Sequence, residues 1–218
     1  MREITGLVLL GDVEESRSIA DREAFRVELE SVCARVSEQH AQELVVPVVV
    51  LKGADELGCV LKSYRSVFAI VSEFNAALPY PVRFALGRGV IDAGVDSGDI
   101  ARMDGPAFHV ASEAMAGLKA SKLPFAMRGG DRLVDDALSA AISAAVVFRA
   151  SRSEAERKAI DAYVVEGNQT KAGAVLKVSQ QAVSDAFVRS GYRRMRTVEE
   201  RIEESLAEYS RRMSGEGT

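Results

Sequence analysis

The sequence predicts an α+β chain, an antiparallel sheet with helices followed by an all-α segment. Apolar runs of strand length alternate with stretches of three-and-four apolar spacing up to residue 127. No strand signal remains after Asp131, and the Gly129-Gly130 pair marks the shift. Charge is also divided. The chain carries −4 overall, yet 168–197 holds six basic residues and one acid, a local +5, which leaves −9 for the rest. At 47% hydrophobic and 28% charged residues, the composition excludes a disordered chain. The acidic balance excludes a protein that coats nucleic acid along its whole surface.

Ile4 to Leu10 is a continuous apolar run and reads as a buried strand ending at Gly11-Asp12. Phe25, Leu29, Val32, Cys33 and Val36 then recur at helical steps behind Asp21, an expected N-cap. Leu44 to Leu51, the turn Gly53-Ala54-Asp55-Glu56 and Gly58 to Leu61 form a hairpin signal. Val67, Phe68, Val71, Phe74 and Leu78 mark a second helix, stopped by Pro79 and Pro81. Val82 to Ile91 is a third apolar strand run. Its Gly87 and Gly89 lie inside a strand, a poor match to a dinucleotide fingerprint. An acidic, glycine-rich loop leads to a helix over Gly105 to Leu118 and a short strand over Pro124 to Met127. The first six elements, β, α, β, β, α, β, are the ferredoxin-like order, with their helices on one face.

From Asp131 to Phe148 an Ala-rich helix reads as a connector, and Ser151 to Val165 as another helix packing through Ala155, Ile160, Ala162 and Val164. The expected domains are 1–129 for the sheet, 130–150 for the connector and 151–218 for the rest. Gly167-Asn168 breaks the chain and caps a short helix, Gln169 to Leu176; Lys177-Val178 turns; Ser179 caps a second helix. This spacing is a helix-turn-helix, with Ala172, Val175, Val178, Val183 and Phe187 expected inward. Gln180, Gln181, Ser184, Asp185 and Arg189 then face out, where such modules enter the major groove. A glutamine amide donates to and accepts from adenine together. Gln169, Thr170, Lys171 and Ser179 are placed for the DNA backbone, with Arg193, Arg194 and Arg196 adding phosphate contacts. The same residues also suit a plain helical bundle packed on the sheet. The run from Thr170 to Ser184 resembles the helix-turn-helix of repressors and of sigma-factor region 4. Farther on, Met195, Val198, Ile202 and Tyr209 follow helical steps that suit a dimer seam or a helix folded back on its own domain.

Asp12 ends the first strand and Asp55 sits at the hairpin tip, positions that adjoin in a ferredoxin-like sheet. Two carboxylates there could hold a hard divalent cation, although aspartate equally serves as a cap or turn residue at both places. The pattern resembles the class III nucleotide cyclase domain and the related GGDEF domain, which bind two metal ions through acids at these positions. Gly11 to Arg17, Gly53 to Leu57 and Met103 to Ala114, with the Met-Asp-Gly-Pro-Ala-Phe element, resemble more closely the SatD family of bacterial proteins. The cyclase resemblance implies a metal site at Asp12 and Asp55. Its wider ligand pocket takes in Glu15, Ser16, Arg17, Glu56, Arg88 and His109, with Mg or Mn and a nucleotide as the expected cofactors. It also places His109 and Glu113 where active cyclases carry Asn and Arg. A carboxylate there opposes the charge that develops on phosphate, so cyclase activity is not expected and no catalytic residue is assigned.

Cys33 and Cys59, far apart among apolar residues, are expected as reduced thiols. No signal peptide precedes Ile4, and the apolar run Leu138 to Phe148 is too short for a bilayer. The expectation is a cytoplasmic, homodimeric regulator. Its degraded cyclase-like sensor or dimerisation domain is joined to a reader of double-stranded DNA, without a membrane partner. The alternative is a metal-dependent nucleotide-processing enzyme whose C-terminal helices dimerise it.

Overall fold

The computed structural model describes residues 3–53 and 55–215; Ala54, in the expected hairpin turn, lies outside them. The strands are β1 (Ile4–Val13), β2 (Leu44–Lys52), β3 (Glu56–Leu61), β4 (Val82–Ile91) and β5 (Phe125–Arg128). Between them lie α1 (Arg22–Gln39), α2 (Val67–Ala77) and α3 (Pro106–Ser121). The helices α4 (Arg132–Ala150), α5 (Glu154–Glu166), α6 (Gln169–Leu176), α7 (Gln180–Arg189) and α8 (Tyr192–Ser214) follow. Asp21 caps α1 as expected, its side chain accepting from Ala24 N at 2.9 Å.

The strands run in the order β2-β3-β1-β4-β5. β1 is antiparallel to both β3 and β4, but β4 and β5 are parallel, so the sheet is mixed rather than antiparallel throughout. The reason is the α3 crossover, which returns the chain to start β5 in the direction of β4. Central β1 is buried on both faces, as its unbroken apolar run requires: Leu7, Val8 and Leu9 are all core residues.

Alternate residues separate the faces. Phe84 meets Phe74 of α2 on one, with ring centroids 5.4 Å apart. Its neighbour Ala85 packs on the other with Ala114 and Leu118 of α3. A Cβ at Gly87 would fall 2.4 Å from Ala111 N, so the backbone of α3 rests directly on β4 and requires glycine there. Beyond β5, the Ser143 hydroxyl donates to Phe125 O and the Ser139 hydroxyl accepts from Met127 N, so α4 covers this edge strand. Asp135, buried at the start of α4, accepts from Gly129 N, Gly130 N and the Tyr209 hydroxyl. The Tyr64 hydroxyl donates to Gly129 O, and its ring lies 4.8 Å from that of Tyr209.

Contacts divide the chain into two units, Met1–Val146 with Ile202–Thr218, and Val147–Arg201. The C-terminal half of α8 therefore groups with the sheet. Ile202, Leu206 and Tyr209 are buried within the chain itself, so this part of the stripe folds back rather than lying open as a seam. In the second unit, Ala159, Ile160, Ala172, Val183, Ala186 and Phe187 form the core, with Tyr163 edge-on to Phe187.

Four residues expected inside this core are outside it: Ala155 and Val164 are exposed, as are Val175 (61%) and Val178 (46%). On α6 the inward stripe runs through Ala172, Gly173 and Leu176, and at 3.6 residues per turn Val175 lies about 110° from its centre. Val178 sits in the connecting turn rather than on a helix face. Among the described residues, no helix is long and apolar enough to cross a membrane.

Candidate nucleic-acid interface

The second unit is assembled from local signals. A capping box between Ser153 and Glu156 opens α5, and Gly167 closes it in the left-handed region. The Asn168 side chain accepts from Thr170 N and Lys171 N to start α6. At its end Lys177 takes φ 57°, with Lys177 N bonded to Ala174 O and Val178 N to Gly173 O, both bonds of a Schellman closure. A Cβ at Gly173 would lie 2.8 Å from Val178 O, so glycine permits the close turn. The Ser179 side chain then accepts from Ala182 N and starts α7.

This geometry buries Val183, Ala186 and Phe187 of α7 and leaves Gln180, Gln181, Asp185 and Arg189 exposed, with Ser184 half-buried. Gln181 Nε2 donates to Asp185 Oδ1 at 2.8 Å, one helical turn along the exposed stripe. Thr170, Lys171 and Ser179 are exposed and Gln169 is half-buried at the start of α6. Arg193 and Arg194 are exposed on α8. Two of the expected DNA-contacting arginines carry protein partners: Arg189, expected on the groove-facing side, faces Glu156 at 3.6 Å, and Arg196, expected at phosphate, faces Glu199 and Glu200. Lys177, absent from the expected contact set, stands exposed in the turn between α6 and α7. Its signal was its place between the two capped helices. On α8, buried Glu199 pairs with Arg149. Arg152 lies over the Phe148 ring; burial, and then neighbouring Arg149, lower its pKa.

The ligand candidates of the sheet unit are not gathered in one place. Asp12 stands opposite Glu56 in the β1–β3 register. Asp55 lies at the same strand end, where Ser16 Oγ donates to its Oδ2 at 2.8 Å; Glu15 and Arg17 are exposed beside them. Arg88 is five residues along β4 from Arg83, the register partner of Asp12, a separation of about 17 Å at strand rise. Arg88 Nη2 donates instead to Met213 O. His109 faces Asp104 near the start of α3, about 15 Å along that helix from Lys119. Lys119 and Arg83 are the cations that meet Asp12: Lys119 Nζ lies 2.7 Å from Oδ1 and Arg83 Nη1 3.7 Å from Oδ2. Arg83 also pairs with Glu14 at 2.9 Å. Asp12 thus has two protein cations, Asp55 has a hydroxyl, and no cluster of three or more His, Cys, Asp or Glu residues suited to a metal occurs among the described residues. In this arrangement the donor set does not fit a divalent ion.

The chain belongs to the SatD family, whose family model matches residues 6–195. No curated protein matches the chain. Among solved structures it is similar to a bacterial light-regulated adenylyl cyclase, with 16% identity over 58% of this chain and 77% of that one, at a TM-score of 0.41. A second structure of such a cyclase gives 14% identity over 58% of this chain and 43% of that one, at 0.42. The regulator of polyketide synthase expression from Bifidobacterium adolescentis gives 13% identity over 95% of this chain and 87% of that one, at 0.27.

Proposed function

We propose that this SatD-family protein is a cytoplasmic regulator that reads double-stranded DNA through α6 and α7. These form a helix-turn-helix of the repressor and sigma-factor region 4 type. The observation that carries this reading is the division of α7: Val183, Ala186 and Phe187 are buried, while Gln181 and Asp185 stand on the opposite face and Gln180 is exposed at the capped start of the helix. Lys171, Lys177, Arg193 and Arg194, on the elements that flank α7 in the chain, are exposed and carry charge complementary to phosphate. The element order and the strand order β2-β3-β1-β4 support a ferredoxin-like core for the first unit. Its role is sensing or pairing two copies on two half-sites.

The test is fluorescence anisotropy of the whole protein with DNA from upstream of its own gene, against scrambled duplex, over a salt series. Preferential binding is expected, with log K falling steeply against log salt, at a slope of roughly −4 for about four neutralised phosphates. Gln180→Ala with Gln181→Ala should abolish the preference and leave most of the salt-dependent affinity. Absence of binding to either duplex at low salt overturns the proposal.

A further inference from the structure

We infer that Asp185 is a positioning residue for base recognition: it holds the Gln181 amide in the orientation that reads adenine. The inference rests on the DNA-binding reading and deepens it. An amide side chain carries a donor end and an acceptor end of nearly equal size, and rotation by 180° exchanges them. Unrestrained, it presents either end to a base. A carboxylate only accepts, so its contact with Gln181 Nε2 at 2.8 Å selects one orientation and disfavours the flipped one. One N–H is used by this bond. The other N–H and the carbonyl oxygen remain side by side, the pair that matches adenine N7 and N6 in the major groove.

The position of the pair supports this role over a plain surface contact. Gln181 and Asp185 are one turn apart on the stripe opposite Val183 and Phe187. Val188, next along that stripe, is 76% exposed, an apolar group of the kind that meets a thymine methyl. An acidic residue on a face meant for DNA weakens attraction to phosphate, a cost that a gain in discrimination offsets.

The experiment selects binding sites for the full-length protein from a randomised duplex pool, then measures affinity for the selected site and its single-base variants by anisotropy. Wild type, Gln181→Ala, Asp185→Ala and Asp185→Glu are compared. Wild type should prefer A·T at one position by about 5- to 150-fold, the range of one bidentate base contact. Gln181→Ala should lose that preference. Asp185→Ala should lose most of it at the same position while binding unrelated duplex more tightly, because a negative charge has gone. Asp185→Glu, which keeps the acceptor, should restore part of the preference. An unchanged preference in Asp185→Ala overturns the inference and leaves the DNA-binding reading standing. Lost discrimination at a different, C·G position also overturns it, since Asp185 would then read cytosine directly. If wild type selects no site and binds no duplex at low salt, the reading beneath it fails as well.

Discussion

The end of β1 in the sheet unit and the exposed face of α7 in the helical unit both carry polar groups suited to a ligand, but they use them differently. At the first, Asp12 is met by Lys119 and Arg83, and Asp55 by Ser16. At the second, Gln180, Gln181, Lys171, Arg193 and Arg194 stand in solvent. A carboxylate already neutralised from within attracts an outside cation weakly, because the new ion must displace the old one. Exposed Gln180 and the exposed cations give up only water, and Gln181 keeps its bond to Asp185 with its carbonyl oxygen still open. The lesson is that residue type at a motif position does not identify a site until its partners are known.

The largest effect is expected where polar groups are spent on the fold. Asp135→Ala removes a buried carboxylate from three donors and should cost the sheet unit about 3–5 kcal/mol, read by urea denaturation. A loss below about 1 kcal/mol would show the network to be incidental. A smaller effect concerns pH. The Tyr209 phenol is pushed up to about 12, by burial first and by Asp135 in the same sense, with the Asp131 N–H working against them. A raised pKa means its contribution is full below about pH 10, where the unfolded phenol begins to ionise, and is lost as pH rises toward about 12. Tyr209→Phe should therefore flatten the alkaline fall in Tm. An identical alkaline profile in the variant would remove Tyr209 as its source. The smallest effect is expected in the helical unit. Val175→Ser and Val178→Ser should each change stability by no more than about 0.5 kcal/mol, since both side chains are exposed. A loss of about 2 kcal/mol or more would return them to the core.

Much of the helical unit was legible because its signals are local. Asn168 and Ser179 cap within three residues of their own positions, and Gly167 closes α5 beside them. The error at Val175 came from a helix of eight residues, too short for its period to define the buried stripe. In the sheet unit the strands and the first two helices were legible from apolar runs. The glycines of β4, Gly87 and Gly89, were visible but not their cause, since α3, which rests on them, begins at Pro106, seventeen residues after Gly89, and is recognised only as a helix.

The sequence by itself determined the element order, the helix caps, the basic stretch of the second unit and the two aspartates at the end of the first strand and hairpin. These depend on neighbours a few residues apart, where backbone geometry and periodicity are nearly independent of the rest of the fold. Only the tertiary structure decided that β5 runs parallel to β4, that Lys119 reaches Asp12, that Tyr209 closes on Asp135, and that Ile202 and Leu206 turn inward. Each joins groups tens of residues apart in the chain, and their meeting depends on how whole elements pack, which no local pattern encodes.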